Sequence, residues 1–264
     1  MNALPTVFVS HGAPTLALAP GATGDAWEAL ASDLPKPKAV LAVSAHWETA
    51  SPEVSSTQHP QTIHDFYGFP EPLFQLQYPA PGAPWLAERV RVLLEAAGIP
   101  ILVDGNRGID HGTWVPMGSM YPQADVPVVQ LSVQTRLGPK HHVELGRALS
   151  SLASEGVLIL GSGSMTHNLR EVRWGVDDPA SAPAYVGAFQ TWVQEALEAR
   201  RTEDLIAYRT LAPEAPRAHP TEEHFFPLFV AWGAAGLHPK PVRRFAGITE
   251  GVLAMDVYTF DPAG

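Results

Sequence analysis

Four histidines stand at or just beyond apolar, strand-like runs. His11 follows TVFVS (6–10), His46 follows AVLAVSA (39–45), His167 follows GVLILGSGSMT, and His111 lies a few residues past PILVD (100–104). Imidazole can ligate a metal through one nitrogen or carry a proton near neutral pH. A single histidine after a strand is ordinarily a hydrogen-bonding loop residue. Four in equivalent places point to one shared centre, provided the strands are neighbours. Each sits among small or turn-forming residues (SHGAP, SAHW, DHGTW, MTHN), which let backbone and ligand approach closely. The chain has no cysteine, so imidazole and carboxylate are the strong metal-ligand types that remain. Disulfides and thiol nucleophiles are excluded.

His224, in HPTEEHFFPLF, is a fifth candidate. Thr221 is placed to cap a helix with His224 in its first turn, and Glu222 and Glu223 suit a helix N-terminus. The other histidines carry less. His141 and His142 open a helical stretch and read as solvated. His59, His219 and His238 each precede proline and read as loop residues. His64, in TIHDFYGFP, lies in an aromatic segment where facing the same pocket and ordinary packing are equally open.

The elements that must position these side chains follow from the apolar pattern. TVFVS, AVLAVSA, PILVD, VPVVQLSV (126–133), GVLILGSG (156–163) and GVLAMDVYTF (251–260) are mostly apolar throughout, which suits strands covered on both faces. Helical spacing marks residues 85–98, 141–156, 189–208 and 222–236. Strand and helix alternate. The expectation is one α/β domain over 1–264, with a central, mostly parallel sheet flanked by helices. In such sheets ligands bind outside the carboxyl ends of the strands, where the histidines lie. Residues 50–84 are rich in proline and aromatics and read as one long ordered loop over the site.

Composition narrows the function classes. Of 264 residues, 45% are hydrophobic and 17% charged, and the net charge is −10. No basic patch stands out, so nucleic acid is not an expected partner. No apolar run approaches the roughly 18 residues of a membrane span, and no signal peptide is legible. A cytoplasmic protein, monomer or homodimer, is expected.

Taken together, VSHGAP, SAHW, TIHDFYGFP, YPAPG, DHGTWVP, MYPQADVPVVQLS, GSGSMTHNLR and PTEEHFFPL are similar in order and spacing to the class III extradiol ring-cleavage dioxygenases. They most resemble the 4,5-DOPA extradiol dioxygenase-like branch. The resemblance spans nearly the whole chain. It implies a mononuclear metal, Fe(II) in active dioxygenases, with a catechol and O2 as substrates. By motif, His11, His46 and His224 match the metal-ligand positions. His167 matches the proposed acid/base, or a fourth ligand in a zinc form. His111 matches a histidine that contacts substrate or oxygen. A histidine at 224, where another group of the family has glutamate, departs from the two-histidine, one-carboxylate triad and leaves Fe(II) and Zn(II) both open.

The implied chemistry needs these residue types. A catechol must lose protons to chelate a metal, and an imidazole such as His167 can take one. His111 can stabilise an oxygen-derived anion. Trp47, Phe66, Tyr67 and Phe69 are candidates to wall an aromatic substrate pocket, with His64 beside them. Arg170 and Arg173 are candidates to bind a substrate carboxylate. Two other readings stand beside this one: a zinc hydrolase with Glu222 or Glu223 as base, and a closed zinc protein on the same scaffold.

Overall fold

The computed structural model describes residues 3–262. Its strands are β1 (Thr6–Ser10), β2 (Ala39–Glu48), β3 (Glu53–Ser55), β4 (Leu102–Asp104), β5 (Val128–Val133), β6 (Val157–Gly163), β7 (Lys240–Phe245), β8 (Ile248–Thr249), β9 (Leu253–Ala254) and β10 (Val257–Asp261). Its helices are α1 (Gly21–Asp33), α2 (Pro72–Gln75), α3 (Pro84–Ala96), α4 (His111–Met120), α5 (Gly138–Ala148), α6 (Ala184–Glu198), α7 (Thr202–Ile206), α8 (Tyr208–Leu211), α9 (Ala215–Ala218) and α10 (Phe226–Ala234).

Eight strands form one sheet in the order β4-β3-β5-β2-β6-β1-β10-β7. The centre, β5-β2-β6-β1, is parallel. The β10 and β7 pairings are antiparallel, as is the contact of β3 with β5. β1, β5 and β6 are buried along their whole length. That burial is why they read as continuous apolar runs: helices cover both faces. α4 packs on one face, where Gly112 meets Ser44. α10 packs on the other, where Gly161 and Gly163 of β6 meet it. A Cβ at Gly161 would run into the Pro227 carbonyl oxygen, and one at Gly163 into that of His224. The Ser164 amide donates to the same His224 carbonyl at 2.8 Å.

The expected α/β architecture is present, with local departures. The segment 50–84 is not one loop: it contains β3 and the single turn α2. β7 and helices α1 and α4 lay outside the sequence reading. The run 251–260 divides into β9 and β10. The stretch 141–156 is α5, starting at Gly138, followed by a 3₁₀ segment over Ser150–Glu155. The stretch 189–208 breaks at Arg200, which has φ +55°. α10 begins only at Phe226, so His224 precedes the helix instead of lying in its first turn. Thr221 does not cap it; its hydroxyl bonds the Glu223 carboxylate at 2.9 Å.

Candidate metal centre and substrate cavity

Three adjacent strands deliver the core of the site. β2, β6 and β1 are consecutive in the sheet. His11 directly follows β1 and is buried. His46 lies inside β2, near its end. Pairing of β2 with β5 slips between Val43 and Glu48, and this irregularity re-aims the strand around His46. His167 lies in the loop after β6, its backbone amide bonded to the Ala218 carbonyl at 2.8 Å. His111 arrives by another route. β4 is the far edge of the sheet, and His111 is the first residue of α4, which packs back against β2.

The Nε2 atom of His46 lies 3.0 Å from Nε2 of His11 and 3.2 Å from Nε2 of His224. The opposite edge of each ring shows which nitrogen carries the proton. His11 Nδ1 lies 3.0 Å from the Ser162 hydroxyl, whose own hydrogen goes to the Gly112 carbonyl. His11 must therefore donate from Nδ1. His224 Nδ1 donates to Glu223 Oε1 at 2.9 Å, and His46 Nδ1 faces Asp65 Oδ2 at 3.3 Å. This network assigns all three rings as Nδ1–H tautomers. Three Nε2 lone pairs then converge with no proton between them. That arrangement is repulsive unless a cation sits there. Nitrogens sharing an ion at about 2.1 Å, at angles of about 90–110°, stand roughly 3.0–3.4 Å apart. The donor set fits one divalent metal.

Burial disfavours a charged imidazole and neighbouring histidines add to the effect. It holds His11 and His224 well below their ordinary value and brings His46 to about 3. His167 is likewise pushed down to about 3, by burial first and then by His46 and His111. Its ring stacks on His224 with centroids 3.4 Å apart and planes 11° from parallel.

Two further groupings lie within ligand reach. One nitrogen each of His11, His46 and His111 falls within 4.8 Å of the others, as do donor atoms of His167, Glu223 and His224. In the second grouping Glu223 is already engaged by His224 and Thr221, while the Nε2 atoms of His11 and His224 each lie within 3.2 Å of His46 Nε2.

Asp65, in HDFYGF, was not singled out in the sequence. Its Oδ1 accepts from both the amide and Nδ1 of His111, at 3.0 and 2.9 Å. Burial opposes its charge, but the hydrogen bond from His111 and the facing imidazoles of His111 and His46 outweigh that and bring it to about 2. The signal that could have found it is chemical: a ligating histidine needs an acceptor for its other ring nitrogen.

A cavity of about 600 Å³ opens over the histidines. His11, His46, His111, His167 and His224 line it, as do Phe66 and Tyr67. Tyr67 and Trp174 stand at its exposed rim. Two residues expected at the pocket are not among those lining it. Trp47 follows His46 on the strand and points to the opposite side, buried beneath the Arg107 guanidinium at 5.0 Å. His64 bonds the Leu76 carbonyl at 2.9 Å and packs among Phe66, Phe74 and Trp114. Arg170 lines the cavity, whereas Arg173 is tied to the Ser181 and Gly251 carbonyls.

Comparison with known proteins agrees with this geometry. Residues 6–254 match the family model described as the catalytic LigB subunit of aromatic ring-opening dioxygenase. The chain belongs to this family. It is 43% identical to the 4,5-DOPA dioxygenase extradiol of Beta vulgaris, over 98% of this chain and 97% of that one. It is 38% identical to the Escherichia coli K12 protein of the same name, over 96% and 93%. Its fold matches the crystal structure of an uncharacterised protein from Escherichia coli K12 with a TM-score of 0.80 and 32% identity, covering 97% of this chain and 99% of that one. The family performs extradiol ring cleavage and depends on a metal, which the histidine cluster is suited to hold. Among the described residues no helix is long and apolar enough to cross a membrane.

Proposed function

We propose that this ring-opening dioxygenase acts on a catechol of the DOPA type, with Fe(II) held by His11, His46 and His224. The observation that carries the ligand assignment is the convergence of three Nε2 lone pairs whose rings are each anchored at Nδ1. A bound divalent ion supplies Lewis acidity, which lowers the pKa of the catechol hydroxyls, and Fe(II) in addition supplies an electron path to dioxygen.

The chain's own residues do the rest. His167 is neutral because burial disfavours its charge, and it borders the cavity, so an imidazole nitrogen can take a proton from a catechol hydroxyl. His111 gives its Nδ1–H to Asp65, which leaves Nε2 as an acceptor. It can take a second hydroxyl proton and return it later to an oxygen anion. Phe66, Phe69 and Trp174 offer flat apolar surface to an aromatic ring and keep water from it. Arg170, at the cavity wall, suits a carboxylate on the substrate side chain. Both carboxylates available to a hydrolytic reading are engaged, Glu222 by the Tyr208 hydroxyl at 2.6 Å and Glu223 by His224.

The test is anaerobic reconstitution with Fe(II), addition of L-DOPA, then air, with a Zn(II)-loaded sample beside it. Stoichiometric oxygen uptake and a ring-opened product with iron alone are expected. No uptake from a broad catechol panel, with zinc tightly bound, would overturn the reading.

A further inference from the structure

We infer that Asp65 is a positioning residue that sets the tautomers of two histidines at once. One oxygen holds the proton on Nδ1 of His46, and the other holds it on Nδ1 of His111. The inference rests on the proposed metal site.

The geometry is specific. Oδ2 faces His46 Nδ1 at 3.3 Å, and Oδ1 receives His111 Nδ1 at 2.9 Å and the His111 amide at 3.0 Å. The two rings lie together, centroids 4.0 Å apart. Only an ionised carboxylate accepts on both oxygens. With both protons pinned outward, His46 turns its Nε2 lone pair toward His11 and His224, and His111 keeps its Nε2 free of a proton. The same aspartate is followed at once by Phe66, Tyr67 and Phe69 of the cavity wall. The substrate loop is thus fastened to a proposed metal ligand through one side chain.

An isosteric amide exposes the role. Asp65→Asn keeps shape and one acceptor oxygen but turns the other acceptor into an NH2 donor. If the amide oxygen stays on His111, the NH2 group opposes the Nδ1–H of His46. His46 must then carry its proton on Nε2, where the metal belongs. If the amide flips, His46 is served, but His111 must move its proton to Nε2 and its backbone amide loses its acceptor. A loop anchor alone would tolerate the swap.

The experiment compares wild type and Asp65→Asn by anaerobic Fe(II) and Zn(II) titration against a competing chelator. Nitrogen-15 spectra of the histidine rings in the Zn(II)-loaded proteins accompany it. The expected result is an affinity loss of roughly 10- to 100-fold, with His111 protonated on Nε2 at saturating zinc. Affinity within about threefold of wild type, with unchanged ring nitrogens, would overturn the inference. If the variant unfolds, the wild-type spectrum decides: Nδ1-bound protons on both His46 and His111 are required, and a Nε2-bound proton on either ring refutes it. Wild type that binds neither metal would instead refute the proposed site.

Discussion

Two sets of buried histidines can be compared in this molecule. His142 is buried as deeply as His11 and likewise has a strongly lowered pKa, brought by burial to about 3. Yet His142 uses both ring nitrogens within the protein. Nδ1 donates to the Gly138 carbonyl at 2.7 Å, and Nε2 accepts from the Gln134 amide at 3.1 Å. His11, His46 and His224 use one nitrogen each and turn the other toward one another. Burial and a shifted pKa therefore do not separate a proposed ligand from a structural histidine. The direction of the unprotonated nitrogen does.

The comparison breaks most readily at the proposed ligands. His11→Ala or His46→Ala should abolish stoichiometric metal and all turnover, whereas His142→Ala should keep both. Metal analysis of purified variants decides, and full occupancy in the first two would remove them from the ligand set. His167→Ala sharpens the contrast within the site. It should retain metal yet lose about 10²- to 10⁴-fold in kcat, the usual worth of a general acid or base. Steady-state oxygen uptake on the iron-loaded variant measures it.

His142→Ala should appear instead in denaturant unfolding. A loss of about 1–3 kcal/mol is expected, because the Gln134 amide loses its buried acceptor. Acid acts on both sets together. The folded-state pKa of His46, His142 and His167 lies below the ordinary value of 6.5, near 3. The unfolded chain therefore binds more protons in between. Stability of the metal-free protein should be intact above about pH 6.5 and fall as pH drops from there toward 3. Unfolding midpoints across that window test the sign. The smallest effect belongs to the rim: Trp174→Ala should raise KM while leaving metal content unchanged, as kinetics across several catechols would show.

Much of this was legible in the sequence, for identifiable reasons. β1, β2 and β6 are covered on both faces, so their apolar runs and the histidines at their ends stood out. His111 does line the cavity, but it was credited to the wrong carrier. PILVD became the edge strand β4, and α4 does the carrying. α4 escaped notice because HGTWVPMGSM holds two glycines and a proline, and burial overrides those poor helix formers. β7 alternates exposed and half-buried residues at a sheet edge, so KPVRRF shows no apolar run to mark it. Asp65 sits in a loop without periodicity, where only its partners reveal it. Trp47 was misread because strand alternation sends it away from its neighbour His46. His142 and His219 looked like surface residues by their neighbours and are both buried.

The two glycines of β6 bear on how this protein tolerates change. Gly161 and Gly163 have no reactive side chain and are not among the residues lining the cavity, yet each leaves the space in which the chain around His224 rests against the sheet. A single added methyl group there would push the segment bearing the third histidine off its seat. A survey of all single substitutions should therefore find these two silent positions as unforgiving as the proposed ligands themselves. A screen guided by reactive side chains would pass over both.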